Sequence, residues 1–217
     1  MSFTVIMPIK PWDGAKSRLH PDADARMALA ASFARDTLDA VLRCPEVGHV
    51  VVVTRGEQVN EFALNAGAIV VQEPTDGGAD PLGAAVREGA AWALAHHPLD
   101  AVAVIPSDLP ALTTSDLSQL LLLAAGHPLA FVPDANGDGT TILTSQSPSL
   151  LQAGYGPDSA SRHRSFGAVE LTATPGLRRD VDEFHELVEA KALGLGPHTA
   201  SALAALSSRE PVVKQAG

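Results

Sequence analysis

The sequence predicts an α/β fold: a central, mostly parallel sheet wrapped by helices, with a small β-hairpin insertion. Short apolar runs at residues 3–7, 50–53, 68–71 and 102–105 alternate with segments of helical periodicity, the order that builds βαβ units. The runs are apolar on both faces, as strands are when helices cover both sides of a sheet. The alternation breaks at residues 129–132 and 140–143, two runs flanking the turn signal Asn136-Gly137-Asp138-Gly139, which together read as a hairpin.

Composition narrows the classes of function. A chain of 217 residues with 46% hydrophobic content can bury a substantial core and suits one α/β domain, residues 1–217, better than two. Residues 208–217 read as a loose tail. With 25 acidic and 15 basic residues the formal net charge is −10, which disfavours the long basic footprint that nucleic acids require. Small anions stay compatible, because seven of the bases gather in residues 10–18, 162–164 and 178–179. Cys44 is the only cysteine, which excludes an intrachain disulfide and any Cys-rich metal centre. No apolar run reaches the length of a membrane span, and residues 1–8 lack the features of a signal peptide. A cytoplasmic protein with no membrane partner is expected.

The first strand ends at Pro8 and opens a loop, Pro8-Ile9-Lys10-Pro11-Trp12-Asp13-Gly14-Ala15-Lys16-Ser17-Arg18-Leu19, with three cations within nine residues. A strand feeding such a loop and then a helix makes a cradle for phosphates. The loop is neither a Walker A nor a GxGxxG turn, and a solvated basic loop is the alternative. Its candidate nucleotide contacts are Pro8, Ile9, Lys10, Gly14, Lys16, Ser17 and Arg18. Residues 22–43 have the spacing of a long helix stopped by Pro45. His49 sits at the entrance of the next strand, residues 59–65 fit a short helix closed by Gly67, and residues 68–71 are a third strand. Residues 73–81 contain Gly77 and Gly78 and form a loop. Asp80-Pro81 then starts a helix with Asp80 as N-cap; a helix entry beside a glycine-rich loop can also hold a nucleotide, which keeps Asp80 among the candidate contacts. His96 and His97 close this helix, where a cationic helix end suits them better than a paired imidazole site.

Residues 101–112 drive an apolar strand into an acidic residue held between two prolines. Pro106 and Pro110 end the ladder, so Asp108 lies in the exit loop of a central strand, at the edge where open α/β sheets bind ligands. Asp108 is there either as a metal or substrate contact or as a turn-forming aspartate. Thr113 to Asp116 form a capping-box-like helix entry. In the hairpin, Thr140 or Thr141 would supply hydroxyls to a second substrate. Gly156-Pro157 is a turn, Ser159 can cap the helix that follows, and Arg162 and Arg164 add positive charge for an anion; His163 between them reads as solvated. Residues 169–171 suggest a strand. Asp180 and Asp182 stand two apart before a helix with Phe184 and Leu187. In extended geometry that spacing turns both side chains to one face and suits a shared magnesium ion, while helix capping is the competing role for Asp182.

Taken in order, the Pro-Ile-Lys loop with Ala15-Lys16-Ser17-Arg18-Leu19, Asp108-Leu109-Pro110, Gly139-Thr140-Thr141, Gly156-Pro157-Asp158-Ser159 with Arg162-His163, and Asp180-Val181-Asp182 resemble the guanylyltransferases that activate 2-phospholactate or phosphoenolpyruvate in biosynthesis of the deazaflavin coenzyme F-420. The resemblance runs over nearly the whole chain. It implies a three-layer αβα nucleotidyltransferase fold (GT-A-like, Rossmann-like), shared with molybdopterin and sugar-nucleotide transferases. It also implies that Asp108, Asp180 and Asp182 are magnesium ligands, and that Thr141, Gly156 and Ser159 contact a phosphorylated three-carbon acid. The expected reaction is attack of the acid's phosphate on the α-phosphorus of GTP, with Asp108, Lys16 and Arg18 as the catalytic set and the two cations holding the departing pyrophosphate. Phosphoenolpyruvate is the favoured acid, with 2-phospholactate and 3-phosphoglycerate behind it, and the product would pass to a later enzyme of the coenzyme F-420 pathway. A molybdopterin or sugar-nucleotide transferase on the same fold is the alternative, and a nucleotide-binding module without catalysis is a third reading. One position departs from the family: Gly83 stands where an asparagine usually follows the Pro-Leu pair. A homodimer is compatible with the sequence.

Overall fold

Among the described residues seven strands, Phe3–Pro8 (β1), Val47–Thr54 (β2), Ile69–Gln72 (β3), Ala101–Val104 (β4), Leu129–Pro133 (β5), Thr140–Ser145 (β6) and Val169–Glu170 (β7), form one sheet in the order β3-β2-β1-β4-β6-β5-β7. The structure is a computed structural model that describes residues 2–14, 16–75, 78 and 80–208. Ala15 of the basic loop, Gly77 of the glycine-rich loop and residues 209–217 of the expected tail lie outside the described residues. β1 pairs in parallel with β2 and β4, β2 with β3, and β5 with β7. β6 alone runs against its neighbours β4 and β5. The expected hairpin is thus β5 and β6, and it continues the sheet beyond β4.

This topology decides what meets at one edge. The loops leaving β1, β3 and β4 all open at the carboxyl ends of parallel strands. Because β6 is reversed, its first residue, Thr140, pairs with Pro133 at the carboxyl end of β5, so the amino end of β6 joins the same edge.

The helices are Ala23–Leu42 (α1), Glu57–Asn65 (α2), Pro81–His96 (α3), Thr114–Ala124 (α4), Ser159–Ser165 (α5), Pro175–Arg178 (α6), Phe184–Leu193 (α7) and Pro197–Ser207 (α8). Among the described residues none is long and apolar enough to cross a membrane. Alternate residues of the strands feed two cores. Val5 and Met7 of β1 pack with Val50 and Val52 of β2 and with Leu38 of α1 and Leu121 of α4. Ile6 and Val53 face the other way, onto Val86 of α3 and Ala160 of α5. Burial on both faces is why these strands read as unbroken apolar runs. Gly89 lets α3 lie close, since a Cβ there would collide with Ile6.

Helix caps follow the sequence in most places. Asp22, Asp80 and Thr113 each accept a backbone N–H in the first turn of α1, α3 and α4. Two elements were not expected, the four-residue α6 and the longer α8. The first turn of α8 is held from a distance: the buried carboxylate of Asp36 in α1 accepts the N–H groups of His198 at 3.0 Å and Thr199 at 2.8 Å.

Candidate active site

Lys16 is the centre of the arrangement. Its backbone sits in the left-handed region, φ 57°, which costs a non-glycine residue about 1–2 kcal/mol. The turn is closed by Leu19 N–H donating to the Lys16 carbonyl at 2.9 Å. It leaves the side chain reaching inward, where Nζ donates to Asp108 Oδ2 and Asp182 Oδ1, both at 2.6 Å. The two carboxylate oxygens therefore lie within twice that distance of each other. Burial pulls the Lys16 pKa down, but Asp108 and Asp182 outweigh it and hold the ammonium well above its ordinary range. Asp182 is the counterpart: burial pushes it up, and the Lys16 ammonium overrides that and keeps the carboxyl below the ordinary range.

Asp180 reaches the same place through Val181. That valine is fully buried, and its N–H donates to the Asp108 carbonyl at 3.1 Å, which pins the segment beside the β4 exit loop. With Val181 turned into the core, the residues on either side share the opposite face, as their spacing predicts. Burial, reinforced by the carboxylates of Asp108, Asp182 and Asp134, pushes Asp180 up to about 7. Asp182 is not the cap of α7. Glu183 holds that position in a reciprocal capping box with Glu186, which leaves the Asp182 carboxylate to Lys16. Asp108 Oδ1 is buried and has no hydrogen-bond partner among the described residues, a costly state for a carboxylate oxygen.

Two cavities meet along this wall. One, of about 350 Å³, is lined by Ile9, Lys10, Trp12, Lys16, Glu73 and Ser107. The other, of about 330 Å³, is lined by Asp134, Thr140, Tyr155, Gly156, Ser159 and Asp180. Pro8, Leu82, Pro106, Asp108 and Asp182 belong to both. A third cavity, about 490 Å³, lies among Leu29, Leu187 and Leu203 and touches none of these carboxylates.

The second cavity is shaped by residues 154–163. Gly156 takes φ 103°, and Asp158, at φ 56°, is the N-cap of α5. Ser159 is therefore the first helical residue rather than the cap. His163 is completely buried, which corrects its reading as a solvated residue between two arginines. Its Nε2 accepts the Gly154 N–H at 3.0 Å, so the proton is assigned to Nδ1, which donates to Thr140 Oγ1 at 2.8 Å. Thr140 receives that bond and keeps its own O–H for another acceptor. Of the two candidate hydroxyls it is Thr140 that lines the cavity. The Thr141 hydroxyl is buried and donates to the Leu177 carbonyl at 2.7 Å.

Burial, followed by the Arg162 guanidinium, pushes His163 down to about 4. A histidine whose folded pKa lies below its unfolded value contributes stability that is complete above pH 6.5 and is lost as pH falls toward 4. In urea melts between pH 7 and 4 the parent should lose about 3 kcal/mol relative to His163→Asn over that window, whatever the other titrating groups add to both proteins. Identical acid limbs in the two proteins would contradict this.

Several candidates from the sequence are not brought to the carboxylates. Ser17 lines neither cavity, and Gly14 closes the short 3-10 turn Trp12–Gly14. Arg18 is largely exposed and pairs with Glu183, Nη1 to Oε1 2.8 Å. Asp80 caps α3 through the Gly83 N–H at 2.9 Å and faces Arg87 at 3.3 Å. A Cβ at Gly83 would collide with that Asp80 carboxylate, so the family's asparagine could not be placed here without moving the cap. Glu73, Ser107 and Tyr155 were not foreseen; Glu73 had a signal, an acid directly after an apolar strand and before Pro74. His49, His97 and Asp100 come within 4.8 Å of one another at the opposite edge of the sheet. The two rings stack with centroids 3.6 Å apart, which leaves their in-plane lone pairs near parallel rather than convergent on one ion.

The fold is that of nucleotidyltransferases. The chain superposes on 4-diphosphocytidyl-2C-methyl-D-erythritol synthase with a TM-score of 0.61 at 15% identity, covering 88% of this chain and 98% of that one. A nucleotidyl transferase from Methanothermobacter thermautotroptrophicus gives 0.61 at 17% identity, with 88% and 97% covered. Residues 3–173 match the family described as Guanylyl transferase CofC like. The phosphoenolpyruvate guanylyltransferase of Streptomyces coelicolor is 43% identical over 210 residues, 95% of this chain and 98% of that one. That of Streptomyces scabiei is 44% identical over 211 residues, with 95% and 98% covered, and that of Mycobacterium marinum 38% over 204 residues, with 92% and 93% covered. The chain belongs to the CofC-like guanylyl transferase family.

Proposed function

We propose that this chain transfers GMP from GTP to the phosphate of phosphoenolpyruvate, giving enolpyruvyl-diphospho-guanosine and pyrophosphate, as a step toward coenzyme F-420. The observation that carries this reading is the pair of cavities sharing Asp108 and Asp182 as a common wall, in a chain 43% identical to a phosphoenolpyruvate guanylyltransferase. Two ligands seated there would have their reacting ends at the same carboxylates.

The nucleotide takes the cavity of Lys10 and Lys16, and the acid takes that of Thr140, Gly156 and Ser159. An oxygen of the acid's phosphate forms a bond to the α-phosphorus of GTP as the bridging oxygen to the β-phosphorus leaves with pyrophosphate. Both reactants are anions, so the barrier is mainly repulsion and alignment. The attacking phosphate is ionised at neutral pH, and no general base is required. Lys16 supplies a fixed positive charge at the junction. The Thr140 hydroxyl, oriented by His163, donates to the acid. Arg18 can reach the pyrophosphate only by leaving Glu183.

Three carboxylates with one orphaned buried oxygen fit a hard divalent cation such as magnesium. Asp108, Asp180 and Asp182 would hold it, and when bound it would neutralise charge on the phosphates. The purified chain should release pyrophosphate from GTP with phosphoenolpyruvate in magnesium buffer and stop on chelation. Parallel assays with 2-phospholactate and 3-phosphoglycerate identify the acid by kcat/KM. Absence of pyrophosphate with all three would refute the reading.

A further inference from the structure

Glu73 follows β3 directly, and its N–H donates to the Thr54 carbonyl at 3.0 Å, which fixes the residue at the carboxyl edge of the sheet. Its side chain is only 8% exposed, and Arg55 approaches Oε2 no closer than 3.6 Å, beyond hydrogen-bond length. No described residue donates a hydrogen bond to this carboxylate, yet it lines the same cavity as Lys16 and Asp108. Arg55 gives this carboxylate a nearby charge but no hydrogen bond, so a ligand that fills the cavity and displaces water from it has to bring donors in the water's place.

A nucleoside triphosphate brings them only in one orientation. Its phosphates are drawn to Lys10 and Lys16 and repelled by Glu73. The strands β3, β2, β1 and β4 separate Glu73 from Asp108 by three strand spacings, about 14 Å. The base therefore lies at Glu73 while the α-phosphate lies at Asp108, with Val53, Leu82 and Ala85 as apolar lining between them. A carboxylate can only accept. Guanine presents two adjacent donors, N1–H and the N2 amine, whereas adenine and cytosine set a ring acceptor beside their amine and uracil flanks its single N–H with carbonyls.

We infer that Glu73 selects guanine, accepting N1–H and N2–H on its two carboxylate oxygens. This rests on the guanylyl-transfer reading above and adds the residue that chooses the base. Calorimetric titration of GTP, ITP and XTP, without any acceptor acid, tests it separately from the acceptor chemistry. The protein should bind ITP, which lacks the N2 amine, about 10-fold or more weaker than GTP. Glu73→Gln should weaken GTP by about 100-fold and strengthen XTP, because the amide N–H can donate to the C2 carbonyl while its oxygen keeps N1–H. A reversal of the GTP to XTP preference supports the assignment even if no acid yields pyrophosphate. An unchanged GTP to XTP ratio in Glu73→Gln overturns it. Equal binding of GTP and ITP by the unsubstituted protein overturns it as well, whether or not the variant folds.

Discussion

Asp108→Asn lowers turnover of GTP with phosphoenolpyruvate by about 10³-fold or more, while the melting temperature stays at or above that of the parent protein. The two outcomes have separate causes. Asparagine keeps the shape of the side chain but removes a charge from the wall shared by both cavities, so neither reactant keeps its alignment to the other. Stability does not follow, because Lys16 retains Asp182 at 2.6 Å and because Asp108 Oδ1 is a buried oxygen with no partner to lose. Steady-state pyrophosphate release and a thermal melt on the same preparation check both halves. Turnover within about 10-fold of the parent would show that the reaction is not centred on these carboxylates, and a collapsed melt would show that Asp108 is structural.

The parallel half of the sheet was legible because β1, β4 and most of β2 are buried on both faces and because β1 and β4 run into prolines. Asp108 was legible for a related reason, since an acid between Pro106 and Pro110 has to lie in an exit loop. The pairing of Asp180 with Asp182 was readable from an extended alternation, and the capping box of Glu183 and Glu186 removes the competing role for Asp182. What the sequence hid depends on contacts made far along the chain. The α8 N-terminus has no capping side chain of its own, because Asp36 supplies it across more than 160 residues. His163 between two arginines looks solvated until α5 packs on β5 and buries it against Phe131. Glu73 shows as a loop acid until the ladder to Thr54 fixes it in the cavity wall. Thr140 and Thr141 cannot be told apart by type; the register of β6 decides which one faces the cavity.

Asp180→Asn stabilises the metal-free protein while removing its activity. In the unfolded chain this carboxyl ionises near 4; in the fold burial and the facing carboxylates push it up to about 7. Between those values the folded state binds more protons than the unfolded one, so stability falls as pH rises from 4 to 7 and stays lowered above it. The shift corresponds to about 2–4 kcal/mol, which the neutral amide recovers. In EDTA at pH 8, urea unfolding of Asp180→Asn should therefore be displaced to higher denaturant by that amount, and the displacement should close as pH approaches 4. Added magnesium should raise the midpoint of the parent more than that of the variant, since ligand binding to the folded state alone stabilises it. A carboxylate buried beside other carboxylates costs the fold stability, a cost that the proposed cation would offset. If Asp180→Asn is no more stable than the parent at pH 8 in EDTA, neither burial nor the facing carboxylates penalise the Asp180 charge in solution, and the cluster is not strained toward a cation.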